Sequence, residues 1–97
     1  MEGIILKRNE LFNILFREKP INMLITLLNS KSKIYASVIA KEIDCTYSHV
    51  VKLLKILEKH EIVEFVKEGR LKYLSLTIKG KKLAEALETA KQLINGE

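Results

Sequence analysis

Apolar residues recur at intervals of three and four along most of this chain, and in one stretch they switch to a β-like run. Leu11, Phe12, Leu15 and Phe16 make the first helical stripe, with Asn9 placed to cap it. Ahead of it, Ile4, Ile5 and Leu6 read as a short strand or arm. Pro20 suits a first helical turn and opens a second stripe of Ile21, Leu24, Leu27 and Leu28. Residues 29–33 form a polar loop, and Ile34 with Tyr35 reads as a one-step strand.

Two further helices follow closely. Ser37 is positioned to cap one that carries Val38, Ile39, Ala40 and Ile43 and ends at Asp44 and Cys45. Thr46 or Ser48 caps the next, which turns Val50, Leu53, Leu54 and Leu57 inward. Lys59 and His60 fall in its last turn, where positive charge complements the helix dipole. The period then changes. Residues 63–66 and 71–76 are β-rich runs around Lys67, Glu68, Gly69 and Arg70, a hairpin signal in which Gly69 supplies positive φ. Thr77 caps a closing helix of about 17 residues, whose apolar period runs through Leu83, Ala84, Leu87 and Ile94.

With 97 residues and no linker, repeat or low-complexity segment, the chain is one domain, 1–97. It divides into an N-terminal arm and helix (1–19), a core (20–77) and a closing helix (78–97). Its fold class is mainly α with a small β-hairpin. A net charge of +5 and a pI near 9.4 favour an acidic partner, nucleic acid before anionic membrane. The single cysteine excludes an internal disulfide framework. The opening apolar run is too short for a signal peptide or a span, so the expected location is the cytoplasm, at the nucleoid.

The helix from Thr46 splits into two faces. Tyr47, Ser48, His49, Val51, Lys52 and Lys55 lie opposite the apolar stripe. A helix entering a DNA major groove uses its first turns for base edges. Ser48 and His49 offer hydrogen bonds there, Val51 suits a thymine methyl, and Lys52 reaches guanine or phosphate. Ser37, Thr46, Lys55, Lys67 and Lys72 are candidates for phosphate, with Lys31 or Lys33 adding to them. Gly69 and Arg70 form the hairpin tip, and arginine favours the negative potential of a narrow minor groove. Glu68 counts against this, because a carboxylate at the tip repels phosphate. The same charges also serve as edge-strand protection, and the helix face also reads as an ordinary solvated side.

At this point the chain resembles a winged helix-turn-helix domain of the MarR-like and ArsR-like regulators, especially short archaeal ones. The resemblance rests on residues 57–63, where the reading helix runs into the first wing strand. It rests also on residues 69–77, the wing, and on residues 76–80 with Leu83 and Ala84, the exit into the last helix. It covers about residues 20–87 and implies a three-helix core, a wing, and extra N- and C-terminal helices. It implies sequence-directed binding of double-stranded DNA, usually by a homodimer acting as a transcriptional regulator. Glu61 departs from the pattern, because the family often has glycine there.

Other chemistry finds little support. His49 and His60 stand 11 residues apart on one helix and share no face, so no metal site is expected. There is no phosphate-binding glycine loop, no nucleophile with a matched base and no paired carboxylates; neither catalysis nor a cofactor is expected. Cys45, in the turn, reads as packing. The terminal stripes exceed what a core of this size hides, so Leu11, Phe12, Leu15, Leu83, Leu87, Ala90 and Ile94 are expected at a homodimer seam. Two other readings stay open: a winged helix that docks a protein through Tyr47, Val51 and Phe65, and a chromatin protein without sequence preference. No effector can be named from the sequence.

Overall fold

The computed structural model describes residues 10–96; Ile4, Ile5, Leu6 and Asn9 lie outside the described residues. In chain order the elements are α1 (Glu10–Leu15), α2 (Glu18–Asn29), α3 (Ala36–Glu42), α4 (Tyr47–Lys59), β1 (Val63–Glu68), β2 (Leu71–Leu76) and α5 (Ile78–Asn95).

Local chemistry accounts for most of these boundaries. Pro20 sits in the first turn of α2, where a missing N–H leaves no helical bond unmade. Thr46, not Ser48, caps α4: its Oγ1 accepts from the His49 amide at 3.3 Å. Thr77 caps α5 by accepting from the Gly80 amide at 2.9 Å. Ser37 caps nothing. Helix α3 starts two residues earlier than a Ser37 cap would give, after an extended Tyr35 that makes no side-chain cap, and Ser37 is exposed in its first turn. The cause is tertiary. Ile34 forms the expected one-step strand, accepting from the Leu74 amide at 2.8 Å, and this keeps the chain extended up to Tyr35.

The hairpin pairs Val63 with Leu76 through to Glu68 with Leu71, closed by Gly69 and Arg70. Gly69 has φ +62° and Arg70 does not, as in the two-residue turn that needs glycine at its first central position. Side chains alternate across the sheet, so Phe65, Lys67, Lys72 and Leu74 share one face. Val66, Glu68, Leu71 and Tyr73 share the other.

The core gathers the predicted stripes. Leu24, Val50, Leu54, Leu57, Ile39, Ile62 and Val63 are buried with Leu74, Ala84 and Leu87. Met23, absent from the predicted α2 stripe, is fully buried, while Ile21 and Leu28 lie at the core margin. Helix α5 lies along α2, tied by Asn29 Nδ2 donating to Glu88 at 2.7 Å and Lys91 Nζ donating to Asn22 Oδ1 at 3.2 Å. Leu93 and Ile94, beyond that contact, are 76% and 84% exposed. No described helix is long and apolar enough to cross a membrane.

Candidate nucleic-acid interface

Two helix ends built alike set the position of α4. Helix α3 stops with Asp44 in the left-handed region (φ 52°); the Cys45 amide donates to Ala40 O at 2.9 Å and the Asp44 amide to Lys41 O at 3.3 Å. Helix α4 stops with Glu61 at φ 60°; the Ile62 amide donates to Leu57 O and the Glu61 amide to Glu58 O, both at 2.9 Å. Each is a Schellman motif, which reverses the chain and satisfies two orphan carbonyls. The residues that would form its usual apolar clasp belong to the core in both: Ala40, Leu57 and Ile62 are buried, and Cys45 packs against the core cluster. Cys45 therefore packs, as its position in the turn suggested. Both motifs escaped sequence reading because Asp44 and Glu61 occupy the place where glycine is the usual signal.

The second motif is locked from behind. Thr77 Oγ1 donates to Glu61 O at 2.6 Å, and the Thr77 amide donates to Ile62 O at 3.1 Å. Lys79 Nζ donates to His60 O at 3.2 Å. A Cβ on Gly80 would stand 1.8 Å from Ile62 O, so only glycine allows α5 this close. The run from Leu76 to Gly80 is thus a clamp that joins the end of α4 to the start of α5.

Helix α4 presents three stripes. Opposite its buried residues, Ser48, Lys52, Lys55 and Lys59 form the outermost line, and all four are exposed. On the wing side, Tyr47, Val51 and Glu58 turn toward a groove of about 840 Å³. That groove also takes in Tyr35, Ser37, Lys55, Phe65, Arg70, Leu71 and Lys72. On the other flank, His49 and Lys52 border a recess with Ile14, Arg17, Lys19 and Ile56. The residues expected at base edges are therefore divided: Tyr47 and Val51 face the wing, His49 faces α1 and α2, and Ser48 and Lys52 point most directly outward.

The wing is basic on the face that looks toward α4. Lys67 and Lys72 stand directly opposite each other in register, both exposed, a like-charge pair that is unfavourable without an anion between them. On the other face Lys33 forms an ion pair with Glu68 and lies 5.2 Å from the centre of the Tyr73 ring. The hydrogen bond to Glu68 raises the Lys33 pKa above its ordinary 10.5. Glu68, the residue that counts against phosphate binding, is paired with Lys33, one of the two lysines (Lys31 or Lys33) that the sequence offers as an added phosphate contact.

The residues expected at a dimer seam also divide. Leu15 and Leu87 are buried in the chain's own core, and Leu11 and Leu83 are packed against it. Their stripes are consumed within the subunit, since α1 and α5 both pack on α2. Phe12 and Phe16 stack at 4.2 Å between ring centres and stay about half exposed; Ala90 and Ile94 are exposed.

An uncharacterized protein of Archaeoglobus fulgidus is 31% identical to this chain over 84 residues, spanning 84% of the chain and 88% of the relative. This chain belongs to the same family. No family model matches it. Among solved structures, AF1382 from Archaeoglobus fulgidus superposes with a TM-score of 0.76 at 29% identity, over 84% of this chain and 93% of that one. A possible HxlR family transcriptional factor from Thermoplasma volcanium gives 0.77 at 20% identity, over 87% and 77%. The Staphylococcus aureus MepR–DNA complex gives 0.71 at 21%, over 97% and 79%. The chain shares the winged helix-turn-helix fold of these structures, the fold that its sequence suggested.

Proposed function

We propose that this chain binds double-stranded DNA as a small dimeric transcriptional regulator, with α4 in the major groove and the wing tip at the adjacent minor groove. One observation carries the reading: the exposed line Ser48, Lys52, Lys55 and Lys59 continues across a groove into the basic wing face of Lys67, Arg70 and Lys72. A helix and a hairpin so joined suit neighbouring grooves, with the intervening phosphate strand crossing Ser37, Tyr47, Lys55 and Lys72. A solved structure of the same fold is a DNA complex, MepR of Staphylococcus aureus. Ser48 and Lys52 are the base-reading residues in this arrangement, at about 1–3 kcal/mol for each good contact. His49 contributes from the flank, and Thr46 acts through its cap. Phe12, Phe16, Ala90, Leu93 and Ile94, left uncovered by the subunit, form the seam to a second copy.

The test is selection of bound sequences from random DNA, followed by affinity measurements at several salt concentrations with Ser48→Ala, His49→Ala and Arg70→Ala. An enriched motif that Ser48→Ala relaxes more than His49→Ala is expected, with Arg70→Ala weakening all sequences more evenly. Absence of binding even at low salt would refute the reading. A second reading has its own observation: Tyr47 and Leu71, 59% and 58% exposed, rim an apolar groove floored by Val51 and Phe65, which suits a docked protein segment. Binding without any enriched motif would instead identify a chromatin protein.

A further inference from the structure

We infer that Lys19, a residue outside the DNA-facing surface, is a positioning residue for the reading helix: its ammonium latches α2 onto the helix-turn-helix turn. The inference rests on the DNA-binding reading for its functional half and on geometry for its structural half. Lys19 Nζ donates to Ile43 O at 2.6 Å and to Asp44 O at 3.0 Å. These are the two carbonyls just past the end of α3, where the chain turns left-handed at Asp44 before entering α4 at Tyr47.

Several features make this bond consequential. A lysine in the first turn of α2 opposes that helix's own dipole, so nothing local to α2 favours it there. At the C-terminal end of α3 the same charge is favourable, meeting both the dipole and carbonyls without helical partners. The bond to Ile43 O is also partly buried, where a charge-assisted bond to a carbonyl is stronger than in water, while the bond to Asp44 O is exposed. Asp44 at φ 52° is a sparsely populated conformation, and it persists only where surrounding contacts hold it. The latch spans 24 and 25 residues of sequence, so it fixes where α4 departs relative to α2. Lys19 also borders the recess that contains His49 and Lys52, on the flank of the reading helix.

The test compares Lys19→Met and Lys19→Arg with Lys55→Ala. Hydrogen exchange of the Asp44 and Cys45 amides, whose bonds to Lys41 O and Ala40 O close the turn, is measured by NMR without DNA. Lys19→Met is expected to speed their exchange about tenfold or more, and Lys19→Arg, which keeps the charge and the donors, to restore much of the protection. DNA affinity is expected to fall by a similar factor in Lys19→Met while the salt slope stays unchanged. Lys55→Ala, a phosphate contact, lowers that slope by about 1. Unchanged exchange overturns the latch, whether or not the native chain binds DNA. Faster exchange with native affinity overturns the positioning role, and so does a reduced slope, because Lys19 would then be a phosphate contact. Should Lys19→Met not fold, Lys19→Gln, with a neutral donor, is expected between the two; native exchange and affinity in it overturn the inference. If the native chain fails to bind DNA at low salt, the regulator reading falls and exchange alone decides the latch.

Discussion

Among the described residues, Asp44 and Glu61 carry backbone conformations that their side chains disfavour, and both end a helix of the helix-turn-helix. Glu61 at φ 60° holds a place that glycine fills without strain, against a penalty of roughly 1–2 kcal/mol for an L-residue. Part of that gain is returned through the more flexible unfolded chain. Glu61→Gly is expected to stabilise the protein by about 1 kcal/mol net, raising the thermal midpoint by roughly 4–8 °C in a calorimetric scan. Gly80 behaves in the opposite way. A methyl group there meets Ile62 O, so Gly80→Ala must push α5 off the end of α4, at roughly 1–3 kcal/mol or more. Chemical denaturation of the two variants measures both signs with one method. The departure from glycine at position 61 was visible in sequence; that the left-handed turn survives it was not.

At the level of elements, the wing is a hairpin held by the core at one end and by Lys33 at the other. Because the bond to Glu68 raises the lysine's pKa, the lysine's share of this tether is complete below pH 10.5 and is lost only as pH rises through the raised value. The pair is exposed, so Glu68→Gln is expected to leave the thermal midpoint essentially unmoved. It removes a negative charge from the wing and releases Lys33. DNA affinity should then rise roughly threefold at low salt and less at high salt, as read by fluorescence anisotropy. A fall in affinity would mean that the tether's orientation of the wing outweighs its charge. The hairpin itself was legible from residues 63–76, because alternating β-branched and aromatic residues around a glycine encode period and turn together.

For the whole molecule, four cationic contacts per subunit (Lys55, Lys67, Arg70 and Lys72) set the expected salt dependence. Each contributes about −0.9 to the slope of log affinity against log salt, giving about −3.6 per subunit. The proposed seam makes a separate prediction. Ile94→Glu with Phe12→Glu, at exposed positions, should convert a dimer to a monomer in sedimentation equilibrium without unfolding the subunit. Leu87→Ala, by contrast, should unfold it in part, losing roughly 2–5 kcal/mol, because Leu87 belongs to the core. Loss of dimerisation is expected to weaken operator binding while leaving half-site contacts in place.

Much of this protein was determined by local sequence: the helical stripes, the cap at Thr77, the choice of Thr46 or Ser48 for the cap of α4, the hairpin turn at Gly69 and the outward lysines of α4. Each is encoded within a few residues, through periodicity, capping or φ preference. Tertiary structure decided the rest. It started α3 before Ser37 by pairing Ile34 with Leu74, and it placed Leu15 and Leu87 inside the subunit rather than at its surface. It gave Lys33 to Glu68 and Lys19 to the carbonyls of Ile43 and Asp44. Those assignments depend on groups brought together from 24 to 40 residues apart, and on which charge finds a partner first. A one-dimensional pattern shows which side of a helix is polar; only packing shows which of its charges remain for DNA.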